Sequence, residues 1–373
     1  MQITAAVVED AHAPFVLGNI EIAEPREGEV LVRIVAVGVC HTDLVARSGG
    51  YPTPFPCVLG HEGSGVVHSV GPGVTKVSPG DHVVLTFNSS GSCTNCRRGA
   101  EAYCVQLPVL NALGRRADGT TAYLRDEQPI SGHFFSQSSF ATFSLATERN
   151  VVKVPTDLPL QLLGPLGCGI QTGAGTVLNS LAARPGESIV ITGTGSVGLS
   201  AVMAARIAGC DPIIAIDLLP ERLELAAALG ATHVIDGSLP NLANELWQIS
   251  GTGLDYAVDF TSDVDAINTG LLGLHSRGIC ALGGSTRIGT TVTLDMMAIH
   301  LGRTVRGVIE GDSVPDVFIP QLLAHYRAGR FPFDRLVTYF RFDEINDAIH
   351  ATHNGHAVKA VLTMPGTEAS PKG

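Results

Sequence analysis

Short runs of β-branched residues, broken by glycine and proline, dominate the first part of the chain. EVLVRIVAVGVC (Glu29–Cys40), GSGVVHSVGPGV and GDHVVLTF are of this kind. Valine and isoleucine pack well on a pleated surface, so such runs between turn residues read as strands. The rhythm predicts a compact antiparallel barrel with functional loops. From about Gly164 the pattern changes. SIVITGTGSVGLSAVMAARIAG reads as strand, glycine turn and helix, and DPIIAIDLLPERLELAAALGATHVID as strand, helix and strand. LDYAVDFTS and RGICALGG add two apolar strands. Short apolar runs alternating with helical stretches predict a parallel sheet covered on both faces by helices. Beyond GRTVRGVIEGD come a helical stretch, IPQLLAHYRAG, and a final strand, VKAVLTM, expected to return to the first domain. The expected division is 1–168 with 310–373, and 169–309; the tail TEASPKG is expected to fray.

Composition narrows the class. The 373 residues fit two domains, and 45% hydrophobic against 16% charged residues is the balance of a core-rich enzyme. A net charge of −11 without a dense basic stretch argues against nucleic acid, which needs clustered cations. The N-terminus lacks a basic region ahead of an apolar run, and no apolar stretch is long enough to span a bilayer, Leu199–Cys210 being broken by Arg206. A cytoplasmic protein without a membrane partner is the expectation. In that compartment the 8 cysteines read as metal ligands or buried hydrophobes rather than disulfides.

The strand at Ile189–Thr192 runs into Gly193-Thr-Gly195-Ser-Val-Gly198 and a helix, the context a dinucleotide-binding turn requires. Gly193 makes the turn, Gly195 admits the pyrophosphate to the backbone, and Gly198 lets helix and strand pack closely. The next strand ends in Asp217, whose carboxylate can accept both ribose hydroxyls of NAD and would repel the 2′-phosphate of NADP. Alternatively, Asp217 simply caps the helix that follows. Arg222, within that helix, joins the cofactor-binding set.

Two sets of metal-ligand residues stand out. Cys40, at the end of a strand, His61 in a glycine-rich segment, and Cys168 in GPLGCGIQTGAG would make a two-thiolate, one-imidazole zinc site with one open position, the catalytic pattern. Each also has a plain structural reading, and sequence spacing alone does not decide. Cys93-x2-Cys96-x7-Cys104 is a tight cluster of the structural-zinc kind.

With these motifs in hand, the run GHEGSGVVHSVGPGVTKVSPGDHV (Gly60–Val83) resembles the signature of the zinc-containing alcohol dehydrogenases of the medium-chain dehydrogenase/reductase family. CHTDL, GPLGCGIQTGAG and GTGSVG follow in that family's order. GHFFSQSSFATF is similar to its aryl-alcohol (benzyl alcohol) and allylic terpene-alcohol (geraniol) branch. The resemblance covers essentially the whole chain. It implies an α/β protein, a GroES-like β-barrel catalytic domain plus a Rossmann doubly wound parallel-sheet domain, that reversibly oxidises a primary aromatic or allylic alcohol with NAD and zinc. It further implies that Cys40, His61 and Cys168 hold catalytic zinc, that Asp43 orients His61, and that Glu62 is an outer carboxylate. By the same resemblance Thr42 takes the alcohol proton towards the cofactor ribose, His41 touches the pyrophosphate, and Thr172 and Val197 pack on the nicotinamide. Val45, Phe134, Phe135, Val308 and Ile309 would form an apolar substrate pocket; the alternative for Phe134 and Phe135 is plain core. A homodimer or homotetramer is implied, with strands near Gly278–Leu294 as candidates for the interface.

The chain departs from the family pattern at two points. Ser90 stands where the first structural-zinc cysteine is expected, so that lobe could bind zinc weakly, recruit another group or be empty. Val45 replaces the histidine that ends the proton relay in animal enzymes, which implies release from the ribose to water or through another base. Glutathione-dependent formaldehyde dehydrogenases and polyol dehydrogenases share the architecture. The charged groups of the former are not found near Gly49–Phe55, and the latter usually carry a carboxylate where Cys168 stands.

Overall fold

The computed structural model describes residues 1–367, so the last six positions of the tail expected to fray lie outside the described residues. Thr367, the head of that tail, is held in place: its hydroxyl donates to Val35 O at 2.8 Å. Contacts divide the chain into two compact units, Met1–Cys168 with Val314–Pro320 and Leu336–Gly373, and Gly169–Ser313 with Gln321–Arg335.

The first unit is built on a five-stranded and a seven-stranded sheet. In the larger sheet the strand Glu29–Gly38 is buried at every position but Arg33, which explains its unbroken apolar run. It pairs antiparallel with Gly63–Val70, Phe143–Thr147 and Lys359–Thr363. The last of these is the final apolar strand of the sequence, and Val361 stands opposite Gly38. The central strand thus lies between the strand that follows His61 and Glu62 and the strand that begins with Lys359.

The second unit carries a six-stranded sheet. Its order is His233–Asp236, Ile213–Asp217, Ile189–Thr192, Leu254–Asp259, Leu274–Leu282 and Thr304–Gly307, and all of these pairs are parallel. This is the order in which a dinucleotide binds at the C-terminal end of the first strand. The helices Ser196–Ala208, Pro220–Leu229, Leu242–Ser250 and Val264–Gly273 intervene between its strands.

Two expectations need correction. The return from the second unit does not occur at 310: Glu310–Ser313 stays with it, because Gln171 Nε2 donates to Glu310 at 3.1 Å and Asn179 Nδ2 to Gly311 O at 3.1 Å. Gln321–Arg335 also belongs there. Nor does Gly278–Leu294 supply an edge strand for an interface. Leu274–Leu282 is interior to the sheet, the residues from 283 to 294 form no strand, and the edge strand on that side is Thr304–Gly307.

The glycine turn has the backbone that the motif demands. Gly193 has φ +86°, and a Cβ on Gly198 would stand 1.9 Å from Gly193 O. Gly198→Ala should therefore destabilise the second unit by about 3 kcal/mol, through overpacking against backbone. Thermal unfolding of the full chain reads this as a lowered first transition, and an unchanged transition would contradict the close packing.

Candidate active site

Cys40 ends the central strand's run and precedes the short helix His41–Arg47. Asp43, on the first turn of that helix, is fully buried and ties the surrounding segments together. Its Oδ2 accepts from Cys40 N at 3.1 Å. Its Oδ1 accepts from Gly60 N at 3.1 Å and lies 2.8 Å from His61 Nδ1. An ionised carboxylate only accepts, so Nδ1 carries a hydrogen and Nε2 is the nitrogen left to a metal. His61 is itself fully buried, and its Nε2 meets no nitrogen or oxygen partner among the described residues, only the Cys40 sulfur. A buried nitrogen of this kind needs a partner.

The partner it fits is a metal ion. One ligand atom each from Cys40, His61, Glu62 and Cys168 lie within 4.8 Å of one another. Burial alone would depress the His61 imidazole, but the Asp43 carboxylate and the Cys40 sulfur outweigh it and hold the group well above its ordinary range. Cys40 is held well below the ordinary thiol range by its hydrogen bond with Cys168, against burial and with help from His61 and Lys359. A field that favours a proton on His61 and a thiolate on Cys40 favours positive charge at their centre. Metal binding would displace the proton from Nε2. Two thiolates and an imidazole suit zinc.

Glu62 is fully buried and accepts at both oxygens from Lys359 Nζ, each at 2.9 Å. Gly38 makes room for it, since a Cβ there would stand 2.0 Å from Glu62 Oε2. Burial pushes the Glu62 carboxyl up to about 7 while the Lys359 ammonium pulls it down; the pair holds Lys359 firmly protonated.

Aromatic rings brace His61. Phe134 meets it edge-on with ring centres 5.6 Å apart, and Phe135 lies across it at 4.5 Å and 30°. Phe134 is fully buried and packs against the imidazole, in keeping with the core alternative that the sequence left open. Phe135 is half-buried and takes φ +50°, a left-handed backbone that is costly for a bulky residue. Asn150 Nδ2 holds it by donating to Phe135 O and Ser136 O, both at 3.2 Å. Gln137, fully buried, donates to His61 O at 2.9 Å and accepts from Gly63 N at 3.2 Å. Neither Lys359 nor Gln137 was marked by sequence reasoning; the signal for Lys359 was a lone cation heading an apolar strand.

The second cysteine set also converges. Cys93 Sγ is 3.4 Å from Cys96 Sγ and 4.0 Å from Cys104 Sγ. Ser90 Oγ is 3.8 Å from Cys96 Sγ and 3.4 Å from Cys104 Sγ, the fourth corner of the cluster. The backbone N–H groups of Cys96 and Val105 draw Cys93 down to about 6, near the range in which a thiol is a ready ligand.

In the second unit the helix Ser196–Ala208 begins at Gly195 without a side-chain cap, and a Cβ on Gly195 would meet nothing within 4 Å. Free backbone N–H groups at a helix start suit a pyrophosphate. Asp217 ends its strand, with Oδ2 accepting from Thr194 N at 2.6 Å and Oδ1 from Leu219 N at 3.0 Å. Thr172 is buried and Val197 half-buried, while Arg222 is buried in the helix Pro220–Leu229. Val308 is buried and Ile309 exposed, just after the edge strand of this unit. In the first unit His41 is exposed, and Thr42 and Val45 are buried on the same short helix.

A thiol–imidazole–thiol cluster on a β-rich unit, with a glycine-turn nucleotide fold beside it in sequence, defines a zinc-binding dehydrogenase. The chain belongs to the zinc-containing alcohol dehydrogenase family: residues 26–156 match the alcohol dehydrogenase GroES-like domain and residues 196–325 the zinc-binding dehydrogenase domain. It is 45% identical over 365 residues to a geraniol dehydrogenase of Castellaniella defragrans, covering 96% of this chain and 97% of that one. The benzyl alcohol dehydrogenase of Acinetobacter calcoaceticus superposes with a TM-score of 0.94 at 44% identity, covering 98% and 99% of the two chains. An alcohol dehydrogenase zinc-binding domain protein of Burkholderia ambifaria does so at 0.95 and 50%, with 98% and 99% covered. No helix among the described residues is long and apolar enough to cross a membrane.

If Asp43 sets the tautomer of His61, Asp43→Asn should weaken zinc binding by about 10–100-fold, read by competition with a chromogenic chelator. Unchanged affinity would remove Asp43 from that role.

Proposed function

We propose that the protein reversibly oxidises a primary aromatic or allylic alcohol, of the benzyl alcohol or geraniol type, to its aldehyde, using NAD and one catalytic zinc per subunit. The observation that carries this reading is the convergence of Cys40, His61 and Cys168, with buried His61 Nε2 facing the Cys40 sulfur and meeting no nitrogen or oxygen partner among the described residues. The geraniol and benzyl alcohol dehydrogenases it resembles supply the substrate class. When bound, zinc supplies the Lewis acidity that makes an alcohol acidic, and NAD accepts the hydride.

The chain's residues do the rest. The thiolates of Cys40 and Cys168 offset the charge of a dication, so that an aldehyde oxygen is not held too tightly. Asp43 keeps the hydrogen of His61 on Nδ1 and leaves Nε2 to the metal. The Thr42 hydroxyl, two residues from Cys40, would take the alcohol proton at Oγ1 and hand it on towards the cofactor ribose, and exposed His41 would serve the pyrophosphate. Gly193, Gly195 and Gly198 form the phosphate turn, and Asp217 and Arg222 hold the adenosine end. The Asp217 carboxylate favours NAD over NADP. Thr172 and Val197 would pack on the nicotinamide. Val45, Phe135, Val308 and Ile309 give the substrate an apolar surface, with Phe134 acting through its contact with His61. The protein works as a homodimer or homotetramer in the cytoplasm. Exposed Ile288, Met296 and Met297 in the second unit support self-association.

Cys93, Cys96 and Cys104, whose sulfurs lie close together, would hold a second, structural zinc, with the Ser90 hydroxyl beside them.

A substrate panel with NAD tests the function: kcat/KM for benzyl alcohol and geraniol should exceed that for ethanol and for a polyol by at least about tenfold, the discrimination an apolar pocket gives. A preference for ethanol or the polyol would overturn the substrate class. Metal analysis of purified protein should give two zinc ions per subunit; one would leave the Ser90 lobe empty.

A further inference from the structure

The strands on either side of Glu29–Gly38 deliver opposite charges to one spot. Glu62 stands just before one, and Lys359 opens the other, 297 residues away. The two side chains are 0% and 3% exposed. Gly38 lies between them in the sheet, and the Glu62 carboxylate occupies the volume a side chain there would fill. Lys359 Nζ uses its donors fully, with both Glu62 oxygens at 2.9 Å and Val39 O at 3.1 Å. Val39 is the residue before the ligand Cys40. A Glu62 oxygen is also within 4.8 Å of the donor atoms of Cys40, His61 and Cys168, as a fourth ligand would be.

We infer that Lys359 is a positioning residue that holds Glu62 off the metal and so keeps the fourth coordination position open for the alcohol. This rests on the reading of Cys40, His61 and Cys168 as the catalytic zinc site. A carboxylate is a good zinc ligand, and a site closed by four protein donors is structural rather than catalytic. In Glu62 the chain has placed such a ligand against the cluster. Its two oxygens are committed to an ammonium that is itself anchored to the backbone beside Cys40. Without the ammonium the buried carboxylate would lose its compensating cation, and the nearest positive charge would be the metal.

The test uses full-length protein with cobalt(II) in place of zinc and neutral imidazole as probe of the open position, followed by the visible spectrum. His61→Ala protein loaded in the same way supplies the background from the Cys93 lobe. In Lys359→Met, imidazole affinity should fall by about tenfold or more, because a tethered carboxylate competes at high effective concentration. Adding Glu62→Gln should restore it to within about threefold of wild type. Unchanged affinity in Lys359→Met, or a loss that Glu62→Gln does not restore, would overturn the proposal. Should Lys359→Met not fold, the uncharged double variant decides alone: affinity equal to wild type is expected, and binding about tenfold tighter would show that Glu62 already ligates in the wild type. A wild-type spectrum identical to that of His61→Ala would refute the metal site itself rather than the role of Lys359.

Discussion

The Asp43 carboxylate is the constraint on which the site depends. It reaches Cys40 N, Gly60 N and His61 Nδ1 from one buried position, and so fixes two separate ligand segments and one tautomer at once. Without it His61 would have no reason to offer Nε2 rather than Nδ1. The aromatic rings of Phe134 and Phe135 then deny the imidazole its other orientations. The left-handed backbone of Phe135 is tolerated because Asn150 and Gln137 hold the loop with buried side-chain hydrogen bonds.

Charge is the second organising quantity. Cys40, Cys168, Asp43 and Glu62 put acidic groups within one buried region, an arrangement stable only with compensating cations. Lys359 answers Glu62 directly, leaving the sulfurs and His61 to a metal. The sheet register makes this possible: three adjacent strands carry or border Cys40, Glu62 and Lys359, so pairing them brings these charges together.

Much of this was legible in the sequence, for identifiable reasons. The glycine turn could be read because strand, Gly193, Gly195, Gly198 and helix are contiguous, and Asp217 follows at the end of the next strand. Cys40, His61 and Cys168 are too far apart for spacing to join them, and only resemblance to a family did so. What stayed hidden was tertiary. Phe134 could be read as pocket wall or as core, because an apolar residue in a loop does not reveal which side it faces. Lys359 was read only as part of a strand, since nothing local says that its partner is Glu62. The crossover near 310 was misplaced because hydrogen bonds from Gln171 and Asn179, far back in the chain, keep Glu310 and Gly311 in the second unit.

The central claim is that Cys40, His61 and Cys168 surround one divalent ion. Diffraction from crystals of the purified protein, collected on either side of the zinc absorption edge, tests it most directly. The account predicts an anomalous peak about 2.0–2.4 Å from Cys40 Sγ, Cys168 Sγ and His61 Nε2. No peak at that point in a zinc-replete, active preparation would contradict it.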